Sequence, residues 1–195
     1  MSKNKKALIC NIIILILEII GFSLFLYRNH SIPMEYYTMD SNLLALISSI
    51  LFITFYKIKK KEIQDLRFIT TSCLTVTFLV VIFILVPMAN FNFKALMFDQ
   101  EFLIFHTLCP IISIISYVFY EKRSTKEYLG FFCTVIYSII LIILNLTDIV
   151  VGPYPFLKIK EQSIFMSLVW SILILIGSYY IGKSLNYFNK QKEEA

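Results

Sequence analysis

The chain has 195 residues, of which 58% are hydrophobic and only 16% charged, against roughly 45–50% and about 25% in an ordinary soluble domain. Gly and Pro number five each, which excludes collagen-like, low-complexity and disordered chains. A net charge of +5 in so apolar a sequence points to membrane topology rather than to nucleic acid. No phosphate-binding loop, dinucleotide fingerprint or nucleic-acid module occurs in it.

A bilayer core of about 30 Å takes about 20 apolar residues of helix. The first such run, 7–27, follows Lys3, Lys5 and Lys6 in the manner of a signal peptide. It is longer than a signal core of roughly 7–15 residues, contains Glu18 and has no A-x-A site after it, so a retained span is expected. Five more runs follow at 39–56, 68–88, 102–120, 129–146 and 163–182. Membrane strands need only about 9–11 residues of alternating polarity, so these runs read as helices. The expected architecture is all-α: one polytopic domain, 1–195, with six transmembrane helices.

Orientation follows from the basic residues. Of the 18 lysines and arginines, all but Arg28, Lys94, Lys158 and Lys160 fall on one side of the six spans, the side that also holds both termini. The positive-inside rule then predicts a multi-pass cell-membrane protein with both termini cytoplasmic. The basic run formed by Lys57, Lys59, Lys60 and Lys61 reads as a topology anchor, with about 1 kcal/mol per residue from anionic headgroups. Cys10, Cys73, Cys109 and Cys133 lie in apolar runs without CxxC or Cys/His spacing. They read as small buried hydrophobes, and neither a metal nor another cofactor is expected.

Polar groups inside spans are costly and face the bundle interior, so their depth is informative. Thr38, Asp40 and Asn42 stand at the outer end of the second span, and Thr38 and Asn42, four apart, share a helix face. His106 lies about four residues into the fourth span from the same side, roughly 6 Å deep. Pro110 frees the His106 carbonyl from its helical donor. Asn145 and Asp148 close the fifth span there, and Tyr154, Pro155 and Phe156 follow in the next loop. Only Glu18 sits near the midplane. Thr and His on facing helices suit a nucleophile–base pair, and general-base help of that kind is typically worth about 10²–10⁴ in rate. At the membrane boundary such a pair suits an amphiphilic ester, head in water and chain in lipid.

Three patterns occur in order: Tyr36-Tyr-Thr-Met-Asp-Ser-Asn-Leu-Leu44, Phe105-His-Thr-Leu-Cys-Pro-Ile-Ile112 and Gly152-Pro-Tyr-Pro-Phe-Leu157. Together they resemble the androgen-induced family of multi-span membrane proteins and its bacterial six-helix relatives. The resemblance implies a Thr/His hydrolase of fatty-acid esters, with Thr38 as nucleophile, His106 as base and the Tyr154 run bracing the cavity mouth. Asn42 and Asn145 are the expected oxyanion donors, and Asp40 and Tyr154 complete the expected substrate contacts. The expected function is therefore hydrolysis or acyl transfer on a lipid-like ester at the outer leaflet. The partner is a membrane lipid or amphiphilic ester, not nucleic acid. Two alternatives stay open: a substrate-binding membrane subunit of a small-molecule uptake system, and a non-catalytic structural membrane protein. The scarcity of Ala in the spans argues against the close docking a subunit needs.

Overall fold

The structure, a computed structural model, describes residues 2–58, 60–124, 126–150, 152–158 and 163–194, with the side chains of 164 and 190–194 set aside. Of the residues used above for orientation, Lys59 and Lys160 lie outside the described residues, as do the side chains of Lys190 and Lys192.

The chain is all-α, with no strand among the described residues. Among the described residues six helices are long and apolar enough to cross a membrane: α1 (Lys3–Asn29), α2 (Tyr37–Thr54), α3 (Lys61–Met88), α4 (Gln100–Phe119), α5 (Leu129–Leu146) and α6 (Ile164–Glu194, apolar over Phe165–Asn189). The fifth coincides with its predicted bounds. The first, third and sixth run past theirs, because hydropathy marks where a helix leaves the bilayer core, not where its backbone ladder stops.

α3 is the hub, packed against α2, α4, α5 and α6, while α1 packs on α2 and α4. Two wider turns interrupt the ladder, at Val81–Leu85 in α3 and at Leu103–Leu108 in α4. Each precedes a proline, Pro87 or Pro110, which has no N–H to give and opens the ladder into a π-turn. Next to them the Val86 and Cys109 amides reach back five residues, to the Val81 and Ile104 carbonyls.

The helix extensions change the reading of Arg67. It is not a loop charge anchoring topology but a side chain 0% exposed inside α3. Its guanidinium donates to Glu121 (Nη2–Oε1 3.1 Å), Ser48 Oγ (3.1 Å) and Ser113 Oγ (3.2 Å). Glu121 Oε1 also accepts from Asn11 Nδ2 at 3.0 Å and from Ser116 Oγ at 2.5 Å. At the opposite end of the bundle Arg28 Nη1 donates to both carboxylate oxygens of Glu101, at 2.9 and 2.8 Å. Fixed polar contacts thus tie α1 to α4 at both ends.

Between those ends, Ala7, Asn11, Ile14, Glu18, Gly21 and Phe25 form the buried stripe of α1 at helical spacing. Gly21 admits the Phe105 ring, which would stand 2.7 Å from a Cβ at that position. Glu18 is fully buried, and its carboxyl oxygens have the weakly donating Cys109 thiol beside them but no hydrogen bond of normal geometry among the described residues. Leaving a buried polar group unpaired costs about 1–3 kcal/mol. Glu18→Met, of similar length and apolar, is therefore expected to raise the thermal midpoint of the detergent-solubilised protein. An unchanged or lower midpoint would show that Glu18 has a stabilising partner.

Candidate functional site

α2 starts at Tyr37 after an extended Tyr36, so Thr38 stands in the first turn, where backbone amides have no helical acceptor. One outside acceptor is supplied. The Thr38 N–H donates to the Tyr154 hydroxyl at 3.4 Å, which sets the phenol beside the Thr38 side chain. Tyr154 is carried there by the turn after α5. Pro155–Leu157 form one 3-10 turn, and the backbone folds back so tightly that a Cβ on Gly152 would lie 2.3 Å from the Leu157 carbonyl oxygen. Only glycine fits that approach. The Tyr154 ring stacks on Phe156 (5.3 Å, 6°) and meets Tyr36 edge-on (5.6 Å), and Phe156 in turn lies 5.9 Å from Trp170 of α6. Burial of Tyr154 pushes its phenol up to about 12, although its contact with Thr38 pulls the other way. It therefore stays a hydrogen-bond donor across the physiological range.

Thr38, Asn145 and Tyr154 line one cavity of about 200 Å³ between α3, α5 and α6. Its remaining wall is largely apolar, with Val80, Leu85, Leu141, Leu168 and Ile174 among the lining residues. That volume exceeds the ~150 Å³ of an apolar cavity that takes up benzene. Several hydroxyls on the wall are already used within their own helices: Thr134, Ser138 and Ser171 each donate to the carbonyl four residues back. Among the described residues Asn145 Nδ2 makes one long contact, 3.4 Å to the Leu157 carbonyl, which leaves a second N–H for other use.

The other expected site residues lie around this cavity rather than in it. Asn42 Nδ2 donates to the Thr38 carbonyl at 2.7 Å and to the Phe105 carbonyl at 3.4 Å. Both of its N–H groups are thus spent on bracing α2 against α4, and its Oδ1 is buried with no partner among the described residues. Asp40 points instead into a second cavity, shared with Ser41, Cys73, Cys133 and Tyr137. His106 lies in the π-turn of α4, 5% exposed, stacked on Phe102 at 5.1 Å. Its Nδ1 is 2.5 Å from the Leu96 carbonyl. A carbonyl only accepts, so Nδ1 carries the proton and Nε2 holds the lone pair a base needs.

No hydrogen bond joins Thr38 to His106 among the described residues, and His106 does not line the Thr38 cavity. Asn42 bonds the Thr38 carbonyl on one side and, on the other, the carbonyl of Phe105, the residue before His106. What the residue types alone could not show is the Tyr154–Thr38 contact and the role of Tyr37, whose hydroxyl is 2.8 Å from Thr134 Oγ1 and holds α2 against α5. The signal available for Tyr154 was the Gly-Pro-Tyr-Pro spacing, which demands a tight turn but does not say what it folds onto. Among the described residues no group of three His, Cys, Asp or Glu side chains is placed to hold a metal ion.

Comparison with known proteins yields no matching family model, no matching curated protein and no matching solved structure.

Proposed function

We propose that this multi-pass protein is a hydrolase or acyl transferase for a lipid-like ester, working at the outer leaflet of the cell membrane with both termini in the cytoplasm. The observation that supports this most is a mainly apolar cavity inside the helix bundle headed by the Thr38 hydroxyl and a buried, protonated phenol. In this reading the acyl chain lies along Val80, Leu141 and Leu168, and the ester carbonyl sits at Thr38. Thr38 Oγ attacks the carbonyl carbon, the alcohol leaves, and the acyl group passes to water or to a second alcohol. Tyr154 and the free N–H of Asn145 donate to the developing oxyanion. His106 Nε2 takes the proton from Thr38 and returns it to the leaving alcohol. A water relay is required between them, and the buried, unpaired Asn42 Oδ1, whose amide bonds both segments, is where such a water would be held. The resemblance to the androgen-induced family points the same way.

A second reading, uptake of an amphiphile without chemistry, is favoured by one fact: His106 lies outside the cavity. A phosphonate that labels activated hydroxyls separates the two. Intact mass of wild type is expected to show one adduct, absent from Thr38→Ala and reduced about 10²–10⁴-fold in rate in His106→Ala, with all three proteins monodisperse. A folded wild type without an adduct would sink the enzyme reading and leave the binding one.

A further inference from the structure

We propose that Cys73 and Cys133 form a dithiol–disulfide site oxidised by a lipid-soluble quinone. The inference does not depend on the ester reading. Four cysteines are present and all are free, but these two, 60 residues apart in sequence, are not isolated. Their side chains pack into one cluster across the α3–α5 interface, and each thiol is the other's foremost polar neighbour. Their approach is built into the helix crossing. At Ser72 and Gly130 the two backbones come so close that a Cβ on Gly130 would stand 2.4 Å from the Ser72 Cβ. Cys73 is the next residue along α3, and Cys133 is about one turn along α5. A disulfide needs Cβ atoms about 3.5–4.5 Å apart, which only such a crossing of small residues allows between two helices.

The pair also opens on a space of suitable size and polarity. Both cysteines line the second cavity, about 230 Å³, together with Tyr37, Asp40, Ser41 and Tyr137. Ile136 and Ile140, which complete one wall, are 57% and 52% exposed on the outer surface of α5, where a bilayer would lie. A planar ring arriving through lipid therefore reaches the thiols without crossing water. The volume again exceeds the ~150 Å³ that holds benzene, and the Asp40 carboxyl is at hand for a ring oxygen, whereas the Tyr37, Tyr137 and Ser41 hydroxyls are held by Thr134, Glu35 and Thr77.

The step balances. Two S–H bonds break and one S–S bond forms. Two electrons pass from the sulfurs to the quinone, and the two thiol protons end on its oxygens as the quinol. The consequence reaches Thr38, because Tyr37, Tyr137 and Leu141 line both cavities. A bond between α3 and α5 would fix two walls of the Thr38 cavity to one another.

The test uses purified full-length protein in detergent and a fully substituted benzoquinone, which has no free ring position for a thiol to add to. After oxidation the protein is denatured and its thiols alkylated. Wild type is expected to lose two hydrogens in intact mass and to take up two alkyl groups instead of four, with Cys73 and Cys133 recovered in one cross-linked peptide. Cys73→Ser and Cys133→Ser should each keep all remaining thiols alkylatable. Four alkylated thiols in quinone-treated wild type would overturn the proposal. So would a disulfide involving Cys10 or Cys109, or closure of the pair by copper-phenanthroline but not by the quinone.

Discussion

Arg67→Met is expected to abolish most of the folded yield, with a loss of about 3–5 kcal/mol. The reason is the company Arg67 keeps. Glu121 is 3% exposed, and its Oε1 takes bonds from the guanidinium, Asn11 and Ser116. Removing the cation leaves a carboxylate inside the bundle with only neutral donors, and it cannot be rehydrated without opening the α1–α4 contact. The neutral members of the cluster are less dependent on Arg67. Ser113 Oγ has Thr71 Oγ1 at 2.8 Å, Ser48 Oγ donates to the Ala45 carbonyl, and Asn11 Nδ2 donates to the Ala7 carbonyl. A double change, Arg67→Met with Glu121→Met, is therefore expected to recover much of the loss, because buried pairs replaced on both sides are often neutral or stabilising. Thermal midpoints of the two single and one double variant in the same detergent check this. A single variant as stable as wild type, or a double variant no better than the worse single, would show that the pair does not carry the coupling described.

Gly152→Ala is the second large effect. The new methyl would lie 2.3 Å from the Leu157 oxygen, 2.6 Å from its carbonyl carbon and 2.7 Å from Asn145 Nδ2. Two of those atoms are backbone, so the turn cannot relax by moving a side chain. It has to open, and Tyr154 and Phe156 leave their seats with it. Overpacking of this kind typically costs about 1–3 kcal/mol. The expected outcome is a lower thermal midpoint with unchanged helix content by circular dichroism, because the turn lies outside every helix. If Thr38 is the nucleophile, its phosphonate adduct should be lost as well. Gly177→Ala, where a Cβ meets nothing within 4 Å, is the control and should change neither. A Gly152→Ala protein as stable as wild type would mean that the turn does not close as tightly as described.

How much of this was readable in advance depends on which physical quantity each feature rests on. The run 129–146 became a helix with those bounds, because apolar length against bilayer thickness is a property of the sequence itself. The polar residues near one end, Thr38, Asn145 and Tyr154, were also legible, since depth follows from counting residues along each span. The division among them was not. Asp40, two residues from Thr38, faces a different cavity, and Asn42 holds α4 rather than an open site.

The sequence by itself determined an all-α chain with six membrane-length helices and the shared position of Thr38, Asn145 and Tyr154 at one end of the bundle. Only the tertiary structure decided the buried Arg67–Glu121 pair, the meeting of Cys73 with Cys133, the contact of Tyr154 with Thr38 and the separation of Thr38 from His106. The reason is the same in each case. In helices that are apolar all round, no contrast between faces shows which side turns inward. Lateral partners are then chosen by where small residues let a neighbour in, as Gly130 lets α3 approach and Gly21 admits the Phe105 ring, a choice made between helices and not within one.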